Sequence, residues 1–210
     1  MAKGKGSAFE REISKQLSLW WTEGERDDVF WRTNASGARF TARRKQGKST
    51  EGQGGDITCT DPIGRALTDL FSIELKTGYS SKSKTKKGLR FTNWCVSDVI
   101  DSKGNLPIFL RMWEQCIRDA EATNRKPMLI FRRTGRTACV CLMKEDVNRI
   151  EEYFGGHIGP TLVLSLKRYA YRLVVMDFKE FLNWTNKPTM VFNQLSEKRR
   201  GTAFNRASLL

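Results

Sequence analysis

Two short segments of this chain set charged residues inside apolar, strand-like runs: Gly54-Gly55-Asp56-Ile57 and Ile73-Glu74-Leu75-Lys76, with seventeen residues between Asp56 and Glu74. Residues two apart on a strand leave the same face, so Glu74 and Lys76 project together while Phe71, Ile73 and Leu75 turn into a core. The intervening Asp61-Pro62-Ile63-Gly64 is a strong turn signal. It predicts an antiparallel hairpin of Asp56–Thr60 against Leu67–Lys76, which brings Asp56 to the same point. A fold for this chain must bury one face of that unit and keep two acids and a lysine together on the other.

Two hard carboxylates suit Mg²⁺, which keeps several waters and takes only one or two protein carboxylates. The Leu75 carbonyl is a candidate extra ligand. A carboxylate pair beside a lysine can activate water against a phosphodiester. Lys76 would orient or deprotonate that water, or neutralise charge on the phosphate, and a nearby cation would lower its pKa. Glu-x-Lys spacing alone says little in a chain with 29% charged residues, and Asp101-Ser102-Lys103 and Asp177-Phe178-Lys179 share it with Asp. Asp177 reads as a helix N-cap with Glu180 as its return partner, and Asp101 lies in a loop. For Glu74 and Lys76 the alternative is a surface ion pair. The upstream Asp, the joining turn and the apolar alternation distinguish them.

The formal net charge is +14 over 210 residues, which points to nucleic acid first, then an anionic membrane surface or an acidic protein. No apolar run approaches the roughly 18 residues of a membrane helix, and the basic start leads into a charged helix, so neither a membrane span nor a secretory signal is expected. Five scattered cysteines, with no zinc-ligand partner pair for Cys139-Val140-Cys141, fit a reducing compartment. The single histidine, His157, lies in a glycine-rich stretch, so histidine-centred metal or nucleophile chemistry is not expected.

Phe9, Ile13, Leu17 and Trp20 or Trp21 recur at helical spacing, and Ser7 with Glu10 has the form of a capping box, predicting a helix over Ser7–Trp21. A short strand at Val29–Arg32 follows, then a loop from Asn34 to Gly54. Thr77–Arg90 has no apolar period and reads as a mobile loop. Beyond it come a helix over Pro107–Thr123, strands at Met128–Phe131 and Thr137–Leu142, a short helix to Phe154, strands at Leu162–Leu166 and Tyr171–Met176, and a short helix from Asp177. This order suits an α/β layer with a mixed sheet. Residues 1–150 are taken as a core, 151–196 as a C-terminal α/β elaboration of the same domain, and 197–210 as a basic flexible tail.

Three segments resemble the PD-(D/E)xK nuclease superfamily, and within it the archaeal-type and phage-type Holliday junction resolvases. Lys5-Gly6 with Phe9-Glu10-Arg11 is similar to the family's N-terminal helix motif. Trp31-Arg32 with Ser36-Gly37-Ala38 is similar to its strand and Ser-Gly loop. Gly55-Asp56-Ile57 with Ile73-Glu74-Leu75-Lys76 resembles its metal-binding core, although glycine stands where proline is usual. The resemblance covers about residues 5 to 76, with weaker support to about 142. It implies a restriction-endonuclease-like mixed sheet flanked by helices, and Mg²⁺ (or Mn²⁺) bound by Asp56 and Glu74. Lys76 would assist the water, Glu10 would complete the site, and Ser36 would lie near the scissile phosphate. For Glu10 the alternative is the capping box, with Glu12 the competing acid; for Ser36 it is an ordinary turn.

Arg39, Arg43, Arg44, Lys45 and Lys48 precede Asp56, while Lys82, Lys84, Lys86 and Lys87 follow Lys76. Singly each reads as a solvated charge; as two clusters flanking one site they read as phosphate contacts. The motif segments add Lys5, Arg11 and Arg32 to the DNA-contacting set. Trp31 and Trp94 are candidates for base stacking, with core packing the stronger reading for Trp31. The resulting expectation is a Mg²⁺-dependent DNA endonuclease of the junction-resolving kind, working as a homodimer on branched DNA in the cytoplasm of a bacterial, archaeal or phage-infected cell. No membrane and no small-molecule substrate are expected. Two alternatives stay open: another nuclease of the same fold, of restriction or repair type, and a non-catalytic basic nucleic-acid-binding protein.

Overall fold

A computed structural model describes residues 3–33, 54–78, 80–85, 88–101, 106–166 and 171–200, with side chains left undescribed at 3–5, 80–93 and 199–200. Helix α1 (Lys3–Trp21) places Phe9, Ile13, Leu17 and Trp21 in one buried stripe at i+4 steps. The Ser18 hydroxyl on that helix accepts the Phe30 N–H at 2.8 Å, tying α1 to β1 (Phe30–Arg32). Strand β1 pairs antiparallel with β2 (Ile57–Cys59) as a two-stranded sheet.

The chain then passes through a 3-10 turn, Pro62–Gly64, and helix α2 (Arg65–Leu70) into β3 (Phe71–Thr77). A ribbon of β4 (Ser80–Thr85) and β5 (Gly88–Asn93) follows, then a one-turn helix α3 (Asp98–Asp101) and α4 (Ile108–Ala122). Next come β6 (Lys126–Arg132), β7 (Ala138–Met143), α5 (Lys144–Phe154), β8 (Thr161–Leu166), β9 (Tyr171–Asp177), α6 (Phe178–Trp184) and α7 (Pro188–Arg200).

The main sheet has the order β3-β6-β7-β9-β8, with β3 and β6 parallel and the other neighbours antiparallel. One face meets α1, α2, α5, α6 and α7 through Ile73, Ile130, Val140 and Val174; the other meets α4 through Leu129, Phe131 and Val175. This is the helix-flanked mixed sheet of a restriction-endonuclease-like fold. Among the described residues no helix is long and apolar enough to cross a membrane.

Several expectations are corrected. The hairpin does not form: β2 pairs with β1, and the third strand starts at Phe71, not Leu67. Asp61 caps the 3-10 turn by accepting the Ile63 N–H at 3.0 Å, and Leu67 and Leu70, three apart, share the buried side of a helix. Helix α1 begins before Ser7, so Ser7 is no cap; its hydroxyl instead accepts a long 3.5 Å contact from Arg11. The segment read as a loop after Thr77 holds β4 and β5, because a ribbon paired to itself needs no apolar period to form its ladder.

Trp31 is 43% exposed and Trp94 is buried, the reverse of the packing expected for Trp31, since Phe30 and not Trp31 turns toward α1. Strand β9 is interior and its apolar residues serve the chain's own core, leaving Leu162 and Val163 on the outer strand β8 as the exposed part of those two runs. Helix α7 continues to Arg200, past the position where a tail was expected at 197. The N-cap at Asp177 is present, accepting from Lys179 and Glu180 N–H groups.

Candidate active site

Asp56 stands just before β2 and is stitched to β3 by main chain and side chain together. Its N–H donates to the Ile73 carbonyl at 2.7 Å, its carbonyl accepts the Thr33 N–H at 2.8 Å, and its carboxylate accepts the Leu75 N–H at 2.8 Å. So Asp56 does reach β3, through this local bridge and not through a hairpin ladder.

Gly55 makes the bridge possible. Its φ is +84°, and a Cβ there would sit 2.6 Å from the Ile73 carbonyl oxygen. Proline, fixed near φ −65°, fits neither the angle nor the space at this position. Gly55→Ala is expected to cost about 1–3 kcal/mol and to pull Asp56 off β3. A lowered melting temperature together with weakened divalent-ion binding would check this; a variant melting with the parent would show the position to be unstrained.

Glu74 and Lys76 lie on the β3 face toward α4, only 4% and 9% exposed. The Lys76 ammonium donates to Glu74 Oε1, and Gln115 Nε2 on α4 donates to the same oxygen at 2.8 Å. Burial, and after it the Asp56 negative charge, push the Glu74 carboxyl up to about 7, against the opposing pull of Lys76. In front lies an open cleft of about 190 Å³ lined by Gly6, Phe9, Glu10, Asp56, Leu75, Lys76 and Thr77.

Glu10 therefore faces the cleft, 3.6 Å from Arg32 Nη1. Glu12 turns elsewhere, accepting from Arg132 Nη1 at 2.8 Å with both oxygens, while the Arg132 guanidinium also lies over the Phe9 ring at 4.5 Å. With α1 running past Ser7, the capping-box reading of Glu10 loses its basis.

The structure thus gathers Asp56, Glu74 and Lys76 at β3, with Glu10 on the cleft and Arg32 beside Glu10. It does not draw Glu10 in with the other two acids: among the described residues no group of three His, Cys, Asp or Glu is close enough to hold a metal ion. Arg11 is exposed on α1. Lys5 lies in the first turns of α1, and Lys82 and Lys84 in β4. Ser36, Arg39, Arg43, Arg44, Lys45, Lys48, Lys86 and Lys87 fall outside the described residues.

Two residues were missed by the sequence reading. Gln115 lies three past Met112 and seven past Ile108, on the buried stripe of α4, where a lone polar side chain is itself a signal. Arg132 ends a strand whose partner across the ladder is Thr77, a register that sequence does not disclose.

Asp56 and Glu74 suit a hard divalent cation. Their donors are all oxygen, and the Asp56 charge raises the cost of ionising Glu74, a penalty that a bound cation would remove. The Leu75 carbonyl leaves the strand on the same edge as its N–H, toward Asp56.

A pH effect follows. The folded protein holds the Glu74 proton more tightly than the unfolded chain, so stability falls as pH rises from about 4.5 to about 7 and levels above that. Each tenfold difference in proton affinity is worth about 1.4 kcal/mol. Melting temperature between pH 5 and 8 should fall more steeply for the parent than for Glu74→Gln, and a divalent cation should restore most of the loss above pH 7. Parallel curves would show that Glu74 is not the titrating group.

Comparison with known proteins bears on the same residues. The model of the family described as "Phage putative PDDEXK endonuclease" matches residues 1–191 of the 210. No match was found among curated proteins or among solved structures.

Proposed function

Because this chain belongs to the phage PD-(D/E)xK endonuclease family, we propose that it hydrolyses DNA phosphodiesters with Mg²⁺ (Mn²⁺ as a substitute) at the Asp56–Glu74–Lys76 site, and that its preferred substrate is a four-way junction. The observation that carries the nuclease reading is the meeting of an Asp fixed to β3, a buried Glu-x-Lys on that strand and an open cleft before them. A cation held by Asp56 and Glu74 would supply Lewis-acid stabilisation and a more acidic bound water.

The chain's own residues do the rest. Asp56 is oriented by the Leu75 N–H, and Gln115 fixes the Glu74 carboxylate. Lys76 lines the cleft and presents an ammonium able to neutralise phosphate charge or exchange a proton with the attacking water. Glu10 on the opposite wall accepts a hydrogen bond from substrate or water, with Arg32 beside it to meet a phosphate oxygen.

The junction reading is supported by the sequence resemblance and by the strong positive charge. It extends to a homodimer, since two opposed strands must be nicked. The outer strand β8, Thr161–Leu166, carries no charge and exposes Leu162 and Val163, so a second copy could pair there without like-charge contact. The test is incubation with labelled four-way junction, duplex, flap and single strand, with Mg²⁺ and with chelator. Cleavage of junction alone or first supports the proposal. Equal cleavage of all forms leaves a nuclease without junction preference, and no cleavage of any favours a binding protein.

A further inference from the structure

Strands β4 and β5 form a sheet of their own, hydrogen-bonded to neither of the other two. The ribbon opens three residues beyond Thr77, the last β3 residue lining the cleft, after Gly78 turns the chain at φ +70° with its N–H on the Arg132 carbonyl at 3.3 Å. The register pairs Ser81 with Thr92, Ser83 with Arg90 and Lys84 with Leu89.

Directly opposed residues share a face, and the face alternates along each strand. By register, one set of alternate positions is therefore Ser81, Ser83, Thr85, Gly88, Arg90 and Thr92: short hydroxyl residues, a glycine and one arginine. The other set is Ser80, Lys82, Lys84, Leu89, Phe91 and Asn93. From Gly78 to Asn93 there is no acidic residue against five basic ones, Lys82, Lys84, Lys86, Lys87 and Arg90.

A two-stranded ribbon is among the few elements that the roughly 12 Å wide major groove of B-DNA admits. Six residues per strand give a reach of roughly 20 Å. Hydroxyls and arginine are residue types that hydrogen-bond base edges there, and the absence of acid from 78 to 93 leaves nothing in the segment to repel phosphate.

We propose that the β4–β5 ribbon enters the major groove of the duplex arm next to the cleaved bond, so that this element sets how the duplex is held and where along it the cut falls. The proposal rests on the nuclease reading for the position of the cut, and on the ribbon alone for the groove. A ribbon anchored at the end of β3 fixes the distance between groove contact and active site. Cleavage should therefore lie at a constant offset from the bound groove.

The test uses the unaltered protein and a duplex arm in which cytosines carry a bulky glucosylated 5-hydroxymethyl group, which fills the major groove without changing pairing. Binding should weaken tenfold or more when the modified bases lie within one turn of the contact. A minor-groove ligand such as netropsin should leave binding unchanged. Loss of binding with netropsin and not with the major-groove adduct overturns the proposal, and so does indifference to both.

As a second arm, Arg90→Ala and a replacement of residues 80–93 by a short Gly-Ser turn are compared with the parent. The replacement should lower the salt slope of binding by about 0.9 for each phosphate that the ribbon no longer neutralises, while cleavage with Mg²⁺ persists at raised enzyme concentration. Persistent cleavage with unchanged affinity and slope rejects the ribbon and leaves the nuclease standing. Absence of cleavage by the parent, with the major-groove interference intact, rejects the nuclease reading and leaves the ribbon.

Discussion

Asp56→Asn, Glu74→Gln and Lys76→Ala should each lower phosphodiester cleavage by about 10²–10⁴-fold while changing DNA affinity by no more than a few-fold. The two quantities separate because affinity rests on phosphate contacts spread over the surface, whereas hydrolysis requires charge at one point. Glu74 is buried and does not line the cleft, so its neutralisation should leave the DNA-facing surface intact. Neutralising either acid also lessens repulsion of the DNA backbone, so binding by those two variants should hold or tighten.

Glu10 and Glu12 provide the internal control. Glu10→Gln, on the cleft wall, should slow cleavage; Glu12→Gln, whose carboxylate is occupied by Arg132, should cleave close to the parent rate. Initial rates on a labelled substrate and affinities by titration give both numbers. Near-parental cleavage by any of the three central variants would show the site to be misassigned.

How this site could be read from sequence differs residue by residue. Glu74 and Lys76 were legible because a two-residue period inside an apolar run leaves few alternatives, and β3 does turn Phe71, Ile73 and Leu75 to one core. Asp56 was legible in outcome but not in route. A turn signal such as Asp61-Pro62-Ile63-Gly64 marks where the chain bends; it does not say whether a helix follows before the next strand, and here α2 does.

The position of Glu10 over Glu12 depends on the rotation of α1 against the sheet, which the stripe of Phe9, Ile13, Leu17 and Trp21 fixes in three dimensions only once β1 and β3 are placed. The β4–β5 ribbon was not legible for a related reason. Polar strands paired only to each other have no buried face, so hydrophobic periodicity, the signal on which strand reading depends, is absent. Helix α7 escaped notice because its basic end resembles a solvated tail, while Val191 and Phe192 near its start are buried.

The outcome with the largest consequence for substrate is a dimer that nicks in pairs. One active site makes one nick, whereas resolving a four-way junction takes nicks in two strands of like polarity. A two-fold homodimer relates its two sites as the junction relates those strands. Light scattering should therefore give about twice the 24.1 kDa chain mass, and cut-site mapping on a fixed junction should show symmetric nicks at equal distances from the branch point. Junction affinity should exceed that for a duplex of equal length by at least about tenfold, because a second engaged site raises effective concentration.

Strand β8 supplies the decisive variant. A lysine on an uncharged outer strand opposes strand addition, so Val163→Lys should yield a monomer. That monomer should retain single-strand nicking at the Asp56–Glu74 site, which lies on β3 at the other edge of the sheet, and lose the pairing of nicks. A parent protein that is monomeric and nicks duplex and junction equally would remove the resolvase assignment and leave the hydrolytic chemistry in place. A dimer that persists in Val163→Lys would place the two-fold contact on another surface.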